Sequence, residues 1–198
     1  MITENDSISA YNSTNELNAL KKHPSAYSED CTERIVSLWQ VFVDNLPYIA
    51  MILLGSAIFG VGFEREFWRW LWAGLYFSYG VAGALWIIVF VCPYCHFYDT
   101  RLCPCGYGLI AAKFRSKKEG AEFAQQFKKH IPAIVPLWFI PLIMGVIMLL
   151  GAFSWILLGL LLAFAINSYV ILPLVSRRYG CASCPQKETC PWMACGKK

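Results

Sequence analysis

Eight of the nine cysteines in this chain fall into two groups of four. Cys92, Cys95, Cys103 and Cys105 lie in "CPYCHFYDTRLCPCG", and Cys181, Cys184, Cys190 and Cys195 lie in "CASCPQKETCPWMAC". The spacings are C-x2-C-x7-C-x-C and C-x2-C-x5-C-x4-C. Two residues between cysteines let both sulfurs reach one ion from a tight turn. Pro93, Pro104, Pro185 and Pro191 each follow a cysteine and stiffen such turns by fixing φ, and Gly106 follows Cys105 where backbone must pass close to sulfur. Each group therefore reads as one four-thiolate metal site, with all eight cysteines as ligands. Four thiolates suit zinc and iron–sulfur clusters alike, and the spacing matches neither common ferredoxin pattern, so the metal stays open between the two. His96, beside Cys95, reads as a solvent-facing or hydrogen-bonded side chain rather than a ligand. Cys31 reads as an ordinary free thiol.

The elements that must position these groups are membrane spans. At 57% hydrophobic residues the chain is too apolar for an ordinary soluble domain. Residues 131–176 carry no charged side chain. As one helix that stretch would run about 69 Å at 1.5 Å per residue, against a hydrocarbon core of ~30 Å. It must fold back, and "GAFS", Gly151 to Ser154, is the expected turn. An earlier hairpin joins the uncharged stretches Leu46–Phe63 and Leu71–Val91 through "EREFWRW". The expectation is an all-α integral membrane protein with four transmembrane helices in two hairpins, each followed by a cysteine module. Its segments are a polar N-terminal tail over 1–45, hairpin 1 over 46–91 and cysteine module 1 over 92–108. A basic amphipathic surface helix over 109–131 follows, then hairpin 2 over 132–176 and cysteine module 2 over 177–198. The first thirty residues are polar and show no apolar signal region.

Basic residues set the orientation. Fifteen of the seventeen Lys and Arg lie on the side shared by the tail, the central loop and the C-terminal segment; only Arg65 and Arg69 lie on the other. Both termini and both cysteine groups are thus expected on the cytoplasmic face of an inner, or cell, membrane. A reducing cytoplasm disfavours a disulfide framework. In "KFRSKKEGAEFAQQFKKH", Phe123, Phe127 and Ile131 recur every four residues, flanked by Lys117, Lys118, Lys128 and Lys129. This predicts a short basic helix lying on an anionic leaflet, and with the membrane explaining the charge, no nucleic-acid partner is expected. Phe67, Trp68, Trp70 and Trp72 form an interfacial belt at the far end of the second span. Gly55 and Gly60 on the first span, and Gly74, Ser78 and Gly83 on the second, are the expected helix contacts. Asn167 is expected to make a hydrogen bond between helices.

The two halves also suggest a parallel internal repeat. "LPYIAMILLG" resembles "IPLIMGVIMLLG", and 45 residues separate Pro47 from Cys92 and Pro136 from Cys181 alike.

"CPYC" resembles the dithiol motif of glutaredoxins, over those four residues, and a four-helix membrane chain with a CxxC is similar in architecture to the thiol oxidoreductases of the vitamin K epoxide reductase type. That resemblance implies a thiol–disulfide oxidoreductase with Cys92 as nucleophile, Cys95 as resolving thiol, Cys103 and Cys105 as a shuttle pair, and quinone as partner. Those enzymes face their cysteines to the oxidising side, opposite to the orientation expected here. A metal transporter would carry cysteine, histidine or acid along the bilayer path, and the helix interiors are expected to hold no charge. His23, His96 and His130 all lie outside the expected spans, which leaves no haem pair. No phosphate loop, nucleophile triad or carboxylate pair occurs. The expected function is a small metal-binding membrane protein, with two four-cysteine centres of zinc or iron–sulfur type. It would act as an electron-transfer subunit or as a membrane adaptor for a cytoplasmic partner, more a non-enzyme than an enzyme.

Overall fold

A computed structural model describes residues 36–180 and Cys184. The tail before residue 36, with Cys31, and the cysteines Cys181, Cys190 and Cys195 lie outside the described residues. Within them the chain is all-helical, with no strand.

Four helical stretches are long and apolar enough to cross a membrane: Leu38–Gly62, Glu66–Tyr94, Phe123–Gly151 and Trp155–Tyr179. Helix α1 runs Leu38–Gly62 and α2 runs Glu66–Phe90. Short α3, Tyr107–Phe114, and α4, Phe123–His130, follow the first cysteine group. Helix α5 runs Pro136–Gly151 and α6 runs Trp155–Ile166. The last stretch continues through a π-helical turn, Asn167–Ile171, into α7, Leu172–Val175, and a second π turn, Ser176–Gly180. Large apolar side chains such as Phe77, Leu85, Ile143, Ile147, Leu162 and Ile166 are exposed along these helices. Such a surface suits lipid rather than water.

The first helix begins eight residues earlier than the apolar stretch at Leu46 suggests. Ser37 caps it, its Oγ accepting the Gln40 N–H at 3.2 Å, so the start is decided by a cap and not by hydropathy. The extension brings Asp44 into α1 and corrects the expectation that the helix interiors hold no charged residue. The surface helix expected over 109–131 is two helices instead. The break at Arg115–Glu119 leaves α4 as the amphipathic piece, with Phe123 and Phe127 in ring contact at 5.8 Å. The turn at "GAFS" stands where expected, α5 ending at Gly151 and α6 starting at Trp155.

The bundle core joins both hairpins: Met51, Ile58 and Phe59 of α1 pack with Tyr76, Leu137, Leu161 and Phe164. One helix-breaking proline is accommodated by a polar side chain from a neighbouring helix. Pro141 lacks the N–H that would bond the Leu137 carbonyl four residues back, and Tyr76 Oη donates to that carbonyl at 2.8 Å. Asn167 Nδ2 donates to the Pro47 carbonyl at 2.9 Å, the interhelical bond expected of it. Tyr48 Oη reaches the Gly80 carbonyl at 2.9 Å. The small-residue contacts are only partly those expected. Gly55 lies against the Tyr76 ring and Gly83 against Ile134 and Leu137. Gly60 and Gly74 face open space and Ser78 is exposed, whereas Gly80 and Gly145 take contacts with Ile52 and Leu161. Pro47 lies inside α1, and Pro136 stands at the first position of α5, within the Phe123–Gly151 stretch.

Candidate metal centre

The first cysteine group begins where α2 ends. A one-turn 3-10 helix, Cys92–Tyr94, follows α2 directly, and the Cys95 N–H bonds the Cys92 carbonyl at 3.0 Å. The buried Pro93 and Tyr94 root this turn in the bundle. The chain then turns at Phe97–Thr100, with Thr100 Oγ1 donating to the Phe97 carbonyl at 3.0 Å and Asp99 at positive φ. The second pair closes in a further turn, the Gly106 N–H bonding the Cys103 carbonyl at 3.0 Å. Gly106 then takes φ 71°, a left-handed conformation that glycine adopts without steric cost, and so starts α3.

Gly108 is the residue that ties the two turns together. Its N–H donates to Cys103 Sγ at 3.4 Å, and its carbonyl accepts the Asp99 N–H at 3.3 Å. A Cβ there would stand 2.3 Å from the Phe97 carbonyl oxygen. "GYG" looks too short to carry information in the sequence, yet both its glycines are required by the loop. The N–H to sulfur contact comes from Gly108, two residues beyond the glycine that adjacency to Cys105 suggests.

The loop is clamped to α1 as well as to the chain at the end of α3. Asn45 Nδ2 donates to the Cys105 carbonyl at 3.0 Å while also reaching Val41 at 2.7 Å. The Val36 N–H bonds the Arg101 carbonyl at 3.1 Å. From the other side Tyr98 Oη donates to the Arg115 carbonyl at 2.5 Å, and the Lys118 N–H to the Pro93 carbonyl at 3.0 Å.

Cys92, Cys95, Cys103 and Cys105 are all half-buried. All four share one neighbourhood, since Cys95, Cys103 and Cys105 each act electrostatically on Cys92. Burial pushes the Tyr107 phenol well above its usual range, and its neighbours Cys105, Tyr48, Cys92 and Cys103 push it further. Burial and close neighbours thus disfavour further negative charge at this place. Among the described residues, no group of three or more His, Cys, Asp or Glu side chains is arranged so that it could hold a metal ion. The loop thus gathers the four thiols without closing them onto one point. Cys184 is half-buried; the other cysteines of the second group lie outside the described residues. His96 is exposed, its ring edge-on to Phe97 at 5.7 Å.

Three residues at this end have no counterpart among the residues singled out by spacing: Asn45, Gly108 and Asp44. Both carboxylate oxygens of Asp44 are buried with no hydrogen-bond partner among the described residues, one residue before the side chain that holds Cys105. Asp–Asn at the polar margin of an apolar stretch was the available signal. Comparison with protein-family models, with curated proteins and with solved structures finds no match to this chain.

Proposed function

We propose that this chain is a multi-pass protein of the inner (cell) membrane, with termini and central loop in the cytoplasm, that binds metal through two sets of cysteines. Cys92, Cys95, Cys103 and Cys105 form one set and Cys181, Cys184, Cys190 and Cys195 the other. It serves as an electron-transfer subunit, or as an adaptor that docks a cytoplasmic partner on the bilayer. The observation that carries the reading is the gathering of three thiols about Cys92 in a loop whose backbone is bonded to α1 and α3. Binding requires the sulfurs to be brought onto a common point, with the Gly108 N–H supporting the charge on Cys103. A bound zinc ion or iron–sulfur cluster would supply, respectively, a structural cross-link or a one-electron carrier. The skew of basic residues supports the orientation.

Metal and acid-labile sulfide analysis with a visible spectrum, on protein purified without oxygen, tests this directly. About four irons with matching sulfide per module indicates electron transfer or iron–sulfur sensing. About one zinc per module indicates a scaffold. Metal-free protein in both modules overturns the proposal.

The second reading is a membrane thiol–disulfide oxidoreductase. Its support is the one-turn helix that joins Cys92 to Cys95, a spacing that lets a dithiol close to a disulfide. Metal-free protein in which these two cysteines cycle reversibly, with quinone as oxidant, is its signature.

A further inference from the structure

The same loop builds a second site that owes nothing to the cysteines. Between the end of α2 and α4 lies a small cavity of about 90 Å³. Its apolar wall includes Phe90 and Tyr94, and its polar side is Arg115, Lys118, Gln126 and His130. The cations are placed by aromatic faces: Arg115 Cζ stands 5.9 Å from the Phe90 ring and Lys118 Nζ 5.4 Å from that of Tyr94. His130 stacks on Phe90 at 5.1 Å. The backbone carrying them is fixed by the Tyr98–Arg115 and Lys118–Pro93 bonds. Among the described residues, no acidic side chain lines the cavity.

A guanidinium fork, an ammonium, an imidazole and an amide around one small space are donors suited to a phosphate oxyanion. The cavity sits where a membrane-spanning helix ends, beside the amphipathic α4 with its Phe123–Phe127 pair, so that a headgroup could enter it while its acyl chains stay in the bilayer. We propose that this cavity binds the phosphate of an anionic membrane phospholipid, anchoring the central loop to the leaflet. The proposal stands whether or not the cysteines hold metal.

Native mass spectrometry of the full chain in detergent, titrated with phosphatidylglycerol and with phosphatidylcholine, tests it. One phosphatidylglycerol should be retained in preference to phosphatidylcholine. Arg115→Gln with Lys118→Gln should weaken that binding about thirtyfold, the effect of two lost basic contacts at a lipid surface. Lys128→Gln with Lys129→Gln should weaken it less than about threefold, as befits cations outside the cavity. Arg115→Lys alone, which keeps the charge but loses the fork, should fall between, and it provides the reading if the double variant does not fold. Equal retention of the two lipids overturns the proposal, as does equal loss from the two double variants. Displacement of phosphatidylglycerol by inorganic phosphate at equal concentration overturns the lipid assignment in favour of a soluble phosphate ligand.

Discussion

The two ends of the helical bundle are built in different ways. At the cysteine end, three separate segments are cross-linked by four bonds distant in sequence: Asn45 to Cys105, Val36 to Arg101, Tyr98 to Arg115 and Lys118 to Pro93. At the opposite end the links between helices are short. Arg69 folds back on the Phe63 carbonyl at 3.1 and 3.2 Å, and Phe153 packs edge-on to Trp155 at 5.0 Å. Those contacts close a turn and stop there. A hairpin turn needs nothing more, because the helices it joins are held by their own packing. The cysteine loop has no regular element over most of its length, so its backbone groups must be satisfied one by one. Of the two ends, then, the one that gathers the cysteines is tied by polar bonds distant in sequence, and the far end is a connector.

Glycine substitutions separate the ends most sharply. Gly108→Ala drives a Cβ into the Phe97 carbonyl and displaces the N–H that meets Cys103; overpacking against backbone is expected to cost about 3 kcal/mol. Thermal melting in detergent, together with faster alkylation of Cys103, checks it. Asn167→Ala, at the level of Pro47, should cost about 1–2 kcal/mol by removing an interhelical bond within the membrane. Asn45→Ala should cost about 1 kcal/mol in stability, with lower metal content at the first cysteine set as the sharper readout; unchanged metal would show that the clamp is dispensable. Asp44→Asn removes a buried carboxylate that has no partner among the described residues and should raise stability by about 1 kcal/mol, and a fall in melting temperature would show that the carboxylate has a partner in the assembled membrane. Gly151→Ala at the far end meets nothing within 4 Å. Its effect should stay within about 0.5 kcal/mol of wild type, and a larger loss would show that the connector end is also under constraint.

The four helices of membrane-crossing length and the hairpin turn at Gly151–Ser154 are legible because they follow from local quantities: an uncharged run, its length against the bilayer, and the small and polar residues that interrupt it. The start of α1 is not, since hydropathy marks Leu46 while a side-chain cap at Ser37 carries the helix eight residues further. Among the expected packing glycines, Gly55 and Gly83 meet neighbours and Gly60 and Gly74 do not, because a small residue marks an interface only if the helix is rotated towards a partner. The cysteine spacing marks the thiols of the first loop; it contains no information on Asn45, which lies sixty residues from its partner Cys105.

By itself, then, the sequence determined that this chain has four apolar segments of membrane-spanning length, that two groups of thiols lie beyond the ends of two of them, and that every Lys and Arg except Arg65 and Arg69 falls in the N-terminal, central and C-terminal segments. These are properties of composition along a line, and burial in lipid acts on them segment by segment. The tertiary structure alone decided which face of each helix is inside, that Tyr76 satisfies the carbonyl left free by Pro141, that α1 clamps the first cysteine loop, and that Arg115, Lys118 and His130 meet across one cavity. Each of these depends on helix rotation and on close approach between residues far apart in the chain, for which linear spacing carries no signal.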